Sequence, residues 1–353
     1  MNQDFHKLKI AAVETETKTA KSIRFDVPVE LEATFQWQPG QHVTLRFRLN
    51  GEEVRRSYSI SSSPFGQGDL RVTVKRVKGG LVSNHINDHL KPGDQVDVMS
   101  PFGGFYLDPA PKARRTYYFF GAGSGVTPLF AMAQSVLMGE PYSTAYLLYG
   151  NKNAKSIIFR DALSELQAEA KERLSVHHVL SAPSMWSSFD YWRRGKIDAE
   201  AIAAFIDENP PYAQDTQYYV CGPSSMNADV RSALMGLDVP QERIHCESYG
   251  GAVPLDDSIN GVAASAKVEI AGAVQNIAIS AGQTVLEAVR AAGFRPPFSC
   301  ESGVCGACRA HLSGGTVHMR ARMALDDQDV AQGGILTCQS LPTSGQIELS
   351  YDK

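Results

Sequence analysis

No stretch of the sequence supplies the roughly 20 consecutive apolar residues that a spanning helix needs. The most apolar run, residues 117–133, is broken by Gly121, Gly123, Gly125 and Pro128, so neither a membrane span nor a membrane partner is expected. Basic residues are not in excess: 34 Lys and Arg stand against 38 Asp and Glu, for a net charge of -4, which argues against a nucleic-acid binder that works by neutralising phosphates. The opening Met-Asn-Gln-Asp-Phe-His has no apolar h-region, so no secretory signal is expected and the cytoplasm is the expected location. Internal repeats and low-complexity tracts are missing. With 43% hydrophobic and 20% charged residues, wholesale disorder and coiled coil are excluded. Cysteine is absent from the first 220 of the 353 residues, and this uneven distribution is the first informative feature.

The length suggests two or three domains. Residues 8–13, 22–27, 42–49, 57–61, 70–77 and 95–99 are short runs rich in Val, Ile, Thr and aromatics, separated by Pro-Gly, Asn-Gly and Gly-rich breaks, with one helical run at 82–90. Such spacing predicts an antiparallel β-barrel or sandwich over residues 1–110. From Arg115 the pattern changes to strand runs at 116–120, 144–149, 175–180 and 217–220, alternating with helical stretches such as 156–172 and 224–235. That alternation predicts an open parallel α/β domain over 111–249. Residues 250–265 read as a linker. Residues 266–353 begin with strand runs at 267–271 and 275–280 and a helix at 284–292, where Thr284 and Glu287 have the spacing of a capping box.

Four of the six cysteines fall in that last segment, as Cys300-x4-Cys305-x2-Cys308 followed by Cys338 after 29 intervening residues. This is the ligand run of a plant-type [2Fe-2S] cluster, in which four thiolates hold two irons. Gly303, Gly306 and Ala307 are small enough to let the loop wrap closely and aim backbone N–H groups at sulfur. A structural zinc site or two disulfides are the alternatives, although zinc sites usually use two short Cys-x2-Cys hooks. For Cys221 and Cys246 a buried, inert thiol is the plain expectation.

Gly121-Ala-Gly123-Ser-Gly125-Val-Thr127-Pro128 lies between a strand run and a helical run. Glycines permit close approach of a pyrophosphate, and the helix start offers free N–H groups to it. Thr127 is expected as the N-cap and Pro128 as the first helical residue. Val126 occupies the place of the third glycine of G-x-G-x-x-G. An ordinary tight turn is the alternative. On the barrel side, Arg56-Ser57-Tyr58-Ser59 would alternate along a strand, Arg56 and Tyr58 on one face and Ser57 and Ser59 on the other. An Arg beside an aromatic can clamp a phosphate and stack on a planar ring, or can simply be solvated. Gly80 and Ser83, at the start of the helix near residue 82, can form a second phosphate turn.

Taken together these motifs resemble the ferredoxin-NADP reductase-like flavoproteins with a C-terminal plant-type ferredoxin domain, over nearly the whole chain. The resemblance implies an FAD-binding β-barrel, an NAD(P)-binding α/β domain and a β-grasp ferredoxin domain. It implies that Arg56 contacts the FAD pyrophosphate, that Tyr58 packs on the isoalloxazine with Ser57 beside it, and that Ser59 approaches its reactive edge. Pro39-Gly40-Gln41-His42 is similar to the family segment that precedes this motif, Gly80 with Ser83 to its second phosphate motif, and Pro101-Phe102-Gly103 to its barrel-closing turn. Gly121, Gly123, Gly125, Thr127 and Pro128 match its nicotinamide-nucleotide loop, which accounts for the missing third glycine. Cys221-Gly222-Pro223 resembles the segment near the nicotinamide, and Glu247-x-Tyr249 the end of the nucleotide domain near the flavin. Ser59, Cys221 and Glu247 are thereby placed around hydride transfer.

By the same resemblance the chain is an NAD(P)H-dependent oxidoreductase using FAD and a [2Fe-2S] cluster, with an external oxygenase component as electron acceptor. The runs His245-Cys246-Glu247-Ser248-Tyr249, Tyr149-Gly150-Asn151-Lys152, 323–325 and 336–339 are most similar to reductases of phenylacetyl-CoA epoxidases. Reductases that feed Rieske oxygenases, such as ketosteroid hydroxylases, are similar in the same runs. A self-contained reductase of small molecules is a further alternative. Lys152 and Lys155 follow the second α/β strand, with no acid directly after Tyr149, which leans to NADPH over NADH; two solvated surface lysines are the plainer reading. The small-residue cluster loop is expected to be exposed and to form a docking face.

Overall fold

The structure, a computed structural model, describes residues 5–66, 68–184, 186, 188–248, 255–325 and 327–352. These residues divide into two compact units, one holding 5–54 and 58–248 and the other 55–57 and 255–352.

The first unit opens with β1 (Phe5–Thr17), β2 (Ala20–Asp26), β3 (His42–Leu49), β4 (Glu52–Ser59), β5 (Arg71–Lys75) and β6 (Gln95–Met99). They form one sheet in the order β4-β3-β6-β1-β2-β5, and its pairings β1·β2, β1·β6, β2·β5 and β3·β6 are antiparallel. An antiparallel bridge from Ile60, just past β4, to Val72 in β5 joins the two ends of the sheet. The edges are thereby closed into a barrel. Alternating residues such as Leu8, Ile10, Val43, Leu45, Val72 and Val74 fill its interior. Helix α1 (Leu81–His89) packs Val82 and Ile86, one turn apart, into the same core.

The parallel sheet follows: β7 (Arg115–Ala122), β8 (Thr144–Asn151), β9 (Leu174–Leu180), β10 (Arg193–Arg194), β11 (Asp215–Gly222) and β12 (Ile244–Ser248). Its order is β10-β9-β8-β7-β11-β12, so the chain reverses direction across the sheet between β7 and β11. Helices α2 (Val126–Gly139), α3 (Arg160–Ala170), α4 (Ala199–Glu208) and α5 (Ser224–Gly236) provide the crossovers. Both faces are covered, which explains why β7 reads as an unbroken apolar run. Tyr117 and Phe119 pack with α2 and α3 residues on one side, and Tyr118 and Phe120 with Phe205 of α4 and Val230 of α5 on the other.

The helix expected over 156–172 is divided. A 3-10 turn at Ala154–Ser156 precedes α3, which starts only at Arg160 because Phe159 is left-handed at φ 60°. Stacking of Phe159 on Phe130, at 4.5 Å between ring centroids, outweighs local helix preference here. The segment entering β7 is anchored by Glu140, which is fully buried. It accepts hydrogen bonds from Ala110 N (3.0 Å), Arg115 Nη1 (2.9 Å), Tyr117 OH (3.1 Å) and Ser143 Oγ (2.6 Å).

The second unit contains β13 (Ala264–Ile270), β14 (Ala273–Ile279), helix α6 (Val285–Ala291), β15 (Arg309–Gly314), β16 (Val317–Met319), β17 (Gly334–Leu336), β18 (Ser340–Pro342) and β19 (Gln346–Ser350). Five strands form a mixed sheet in the order β14-β13-β19-β15-β17, and β16 pairs with β18 separately. Helix α6 lies on the sheet through Val285, Ala288 and Val289, giving the β-grasp arrangement. Its capping box is formed: Glu287 N donates to Thr284 Oγ1 (3.2 Å) and Thr284 N to Glu287 Oε2 (2.9 Å). The expected linker lies partly outside the described residues; 255–263 carry no strand or helix, and β13 starts at Ala264. Among the described residues no helix is long and apolar enough to cross a membrane.

Candidate functional site

The carboxyl ends of the parallel strands bring the candidate nucleotide residues into one row. Gly121 of β7 is in register with Cys221 of β11, and Cys221 with Glu247 of β12. On the other side Gly121 pairs with Tyr149 of β8, whose hydroxyl donates to Gly123 O at 2.9 Å. This is the switch point of the sheet, where open α/β folds bind their ligands. Gly125 packs tightly against the end of β11: a Cβ there would lie 1.9 Å from Cys221 O and 2.9 Å from Gly222 N. Gly123 has φ +55°, and a Cβ on it would meet Lys75 Nζ at 3.1 Å. The Lys75 ammonium therefore stands over the glycine loop, its pKa lowered by burial. A cation above a loop of backbone N–H groups suits a pyrophosphate.

The barrel meets this row directly. Ser59, at the buried end of β4, points its Oγ at Glu247 Oε2 across 3.5 Å. Asn227 of α5 secures the end of β12, donating from Nδ2 to Glu247 O (2.8 Å) and Ser248 Oγ (2.9 Å). His42 opens β3 and packs edge-on against Phe102, with ring centroids 4.2 Å apart, while the two backbones exchange hydrogen bonds at 3.0 Å. Burial depresses the imidazole to about 4, and its Nε2 has no hydrogen-bond partner among the described residues. At the start of α1, Gly80 caps without a side chain, and Ser83 Oγ accepts from Val77 N at 3.1 Å. Open helix N–H groups and an unsatisfied buried imidazole edge fit a bound dinucleotide.

In the second unit the four cysteines fall into two pairs. Hydrogen bonding from Cys305 holds the Cys300 thiol down at about 5, aided by Ser302, whereas Cys305 is pushed well above the ordinary thiol range by the same contact and by burial. Cys308 is hydrogen-bonded to Cys338 and likewise raised. The backbone N–H groups of Ser302 (3.5 Å) and Cys305 (3.4 Å) point at Cys300 Sγ. Among the described residues no three His, Cys, Asp or Glu side chains converge as a site for one metal ion would require. Two thiol pairs fit two irons, two ligands to each. Burial also holds the Tyr351 phenol neutral, above its ordinary range; the nearby Thr337 hydroxyl opposes this, and Cys308 and Cys338 reinforce it.

Three family models match the chain in order: an oxidoreductase FAD-binding domain over residues 7–106, an oxidoreductase NAD-binding domain over 119–232 and a 2Fe-2S iron-sulfur cluster binding domain over 268–343. The chain is 32% identical to a subunit of 1,2-phenylacetyl-CoA epoxidase from Escherichia coli (strain K12), covering 99% of this chain and 98% of that protein. It belongs to the ferredoxin-NADP reductase-like flavoproteins that carry a 2Fe-2S domain. The ferredoxin reductase component of 3-ketosteroid-9-alpha-monooxygenase from Mycobacterium tuberculosis is 35% identical, over 98% of this chain and 96% of its own. Among solved structures, phthalate dioxygenase reductase, described as a modular structure for electron transfer from pyridine nucleotides to [2Fe-2S], is similar with a TM-score of 0.61 and 26% identity over 98% of both chains.

Membership of this flavoprotein family makes FAD, a nicotinamide nucleotide and a 2Fe-2S cluster the cofactors. Of the candidate residues, Ser59, Gly121, Gly123, Gly125, Cys221, Gly222 and Glu247 come together at the switch point, and the four cysteines form two pairs in the second unit. Arg56 is exposed and Tyr58 half-buried on β4. Pro223 caps α5. Tyr249 lies outside the described residues. Thr127 and Pro128 are not the cap and first residue of α2: the helix starts at Val126 after a 3-10 turn over Gly123–Gly125, and Thr127 Oγ1 instead donates to Ser124 O at 2.9 Å. Cys221 is buried as expected, but Cys246 is exposed because β12 is an edge strand. The cluster loop is less open than expected. Of residues 300–308 only Glu301 is exposed, and Gly303 packs so tightly that a Cβ would lie 2.6 Å from Ala321 O.

Sequence reasoning missed Lys75, Asn227 and Arg194. Leu180 of β9 is in register with both Asn151 of β8 and Arg194 of β10, so Arg194 reaches the same sheet end as Lys152, and both are exposed. The Val-Lys-Arg run containing Lys75 reads as an ordinary strand end, and only the fold carries it to the glycine loop.

Proposed function

We propose that this chain is the reductase component of a multicomponent oxygenase, drawing electrons from NADPH and delivering them to phenylacetyl-CoA epoxidase. The observation that carries this reading is the convergence of Ser59 of the barrel on the row Gly121–Cys221–Glu247 of the parallel sheet. It supports a site where a nicotinamide bound at the glycine loop faces a flavin bound along β4. When bound, FAD accepts a two-electron hydride from the nicotinamide and passes single electrons on, and a 2Fe-2S cluster carries one at a time.

The chain's own residues bind and orient. The close packing of Gly125 on Cys221 and Gly222 sets the depth of the nucleotide pocket, and Lys75 offers charge to the phosphates. Arg56, Ser57, Tyr58, His42, Gly80 and Ser83 hold the flavin dinucleotide. Ser59 and Glu247, with Cys221 beside them, line the place where hydride passes, and Asn227 keeps Glu247 in position. Cys300 and Cys305, with Cys308 and Cys338, would hold a 2Fe-2S cluster, which would supply one-electron transfer there. Lys152 and Arg194, both cationic and at one end of the sheet, favour a nucleotide carrying an adenosine 2'-phosphate.

The full-length likeness to the Escherichia coli epoxidase component supports that acceptor. A second reading, the reductase of a ketosteroid monooxygenase, is favoured by the 35% identity to the mycobacterial component. The deciding experiment follows product from phenylacetyl-CoA with purified epoxidase subunits and NADPH, with and without this chain. Product only in its presence supports the epoxidase reading. No product despite a fully reduced chain moves the assignment to another oxygenase, and equal turnover of a small-molecule acceptor without any protein partner would instead mark a self-contained reductase.

A further inference from the structure

The strand that carries Arg56–Ser59 runs on through residues 60–63, and this continuation is fastened to α2, the helix that leaves the glycine loop. Ser63 Oγ lies 2.8 Å from Ser135 Oγ of α2, and both side chains are buried. Further along, a Cβ on Gly139, the last residue of α2, would meet the Phe65 ring at 3.3 Å. A third fastening comes from Arg71, the first residue of β5. Its Nη2 donates to Ser61 O at 2.9 Å. Its guanidinium carbon stands 5.8 Å from the ring centroid of Phe130 in α2 and 5.5 Å from that of Phe159, which precedes α3. These two rings stack on each other at 4.5 Å, and a cation within about 6 Å of an aromatic face is attracted to it.

A half-buried guanidinium is a costly way to join a strand to two apolar rings, because it gives up hydration. Burial pulls its pKa down, Glu16 and Glu14 oppose this as neighbouring charges, and its buried Nε has no hydrogen-bond partner among the described residues. An aliphatic side chain would fill the space without that cost. Only a planar fork, however, can hold a carbonyl and lie against two ring faces at once. We propose that Arg71 is a positioning residue for hydride transfer: it fixes α2, and with it the glycine loop, against the strand that bears Ser59, and so sets the separation of nicotinamide and flavin. Phe130 lies about one turn beyond Val126, where α2 begins, so a shift of the helix at Phe130 is passed on to Gly125 and its contact with Cys221. This rests on the reading that a nicotinamide at the glycine loop faces a flavin bound along β4.

The test is anaerobic stopped-flow reduction of the full-length holoprotein over a range of NADPH concentrations, comparing wild type with Arg71→Met, which keeps an unbranched side chain and removes the fork. Misplacement of about 1 Å at a reacting centre costs about 100-fold, so loss of one fastening among several should slow the limiting rate of flavin reduction about tenfold. The Kd for NADPH from the same titration should be unchanged. The long-wavelength charge-transfer absorbance of reduced flavin against NADP+, which reports how closely the two rings stack, should weaken in parallel. Arg71→Lys keeps the charge as a point on a flexible stem, so it should restore only part of the rate and of the band; this milder variant decides if Arg71→Met fails to fold. A wild-type limiting rate and charge-transfer band in folded Arg71→Met, or in Arg71→Lys where the Met variant does not fold, overturns the proposal. So does a raised Kd with an unchanged limiting rate. A wild-type chain whose bound flavin NADPH does not reduce would instead overturn the reading of the site beneath it.

Discussion

Replacing Gly125 with alanine perturbs the nucleotide loop by a single methyl group. Gly125 sits at φ -62°, a conformation open to any residue, so the substitution carries no backbone penalty and its effect is purely steric. The new Cβ would stand 1.9 Å from Cys221 O, whereas ordinary contact begins at 3.4 Å. The start of α2 and the end of β11 must therefore separate by about 1.5 Å. Overpacking of this kind costs about 1–3 kcal/mol, which a chain with this much core tolerates. Function is more sensitive, since a misplacement of about 1 Å at a reacting centre costs about 100-fold. Anaerobic stopped-flow should show flavin reduction by NADPH slowed about 100-fold in Gly125→Ala, with the 2Fe-2S absorbance unchanged. Gly236→Ala, at a position with nothing within 4 Å, is the control and should be silent. Wild-type flavin reduction in Gly125→Ala would refute the placement of the nucleotide against Cys221.

Other substitutions separate the parts of the site. Cys305→Ser should remove the 2Fe-2S spectrum and electron delivery to the partner while NADPH still reduces the flavin; full partner reduction would contradict the ligand assignment. Lys75→Met should raise the KM for NADPH about tenfold, the effect of roughly one charge-assisted hydrogen bond, with the melting temperature little changed; an unaltered KM would remove Lys75 from the nucleotide site. Lys152→Glu should lower kcat/KM for NADPH more than for NADH, and an equal effect on both would argue against 2'-phosphate recognition there. His42 is neutral when folded, its pKa near 4 against the ordinary histidine value of 6.5, so between those values the unfolded chain binds a proton that the folded one refuses. Stability is complete above pH 6.5 and falls as pH drops toward 4, by about 3 kcal/mol from this group at about 1.36 kcal/mol per unit. Urea unfolding at about pH 7 and about pH 4.5, either side of the ordinary histidine range, should show a shallower loss in His42→Gln; identical slopes would show that His42 is not held neutral.

The three-domain order was legible because its signals are local. Strand runs at turn spacing, a change to strand–helix alternation and four cysteines at a set spacing each occupy a short window of sequence. The capping box of Thr284 and Glu287 is local in the same sense and forms as expected. Lys75 and Arg194 were not legible, since each gains its meaning from sheet closure or register with residues far along the chain. Asn227 reads as an ordinary polar helix residue until β12 is laid beside β11. Thr127 shows how a good local N-cap loses to a tertiary constraint: close packing of Gly125 on Cys221 starts the helix earlier and leaves the threonine to serve the turn behind it. Phe159 shows the same competition, with aromatic stacking overriding the helical pattern around it.

Electrons are expected to pass within one chain from nicotinamide through flavin to the 2Fe-2S group. Mixing the oxidised holoprotein with NADPH anaerobically and following flavin and cluster absorbance on a millisecond scale tests that sequence. Flavin bleaching should come first and cluster bleaching second within the same chain, at a rate independent of protein concentration. A cluster that stays oxidised beside a fully reduced flavin, or that is reduced only in proportion to protein concentration, would contradict it.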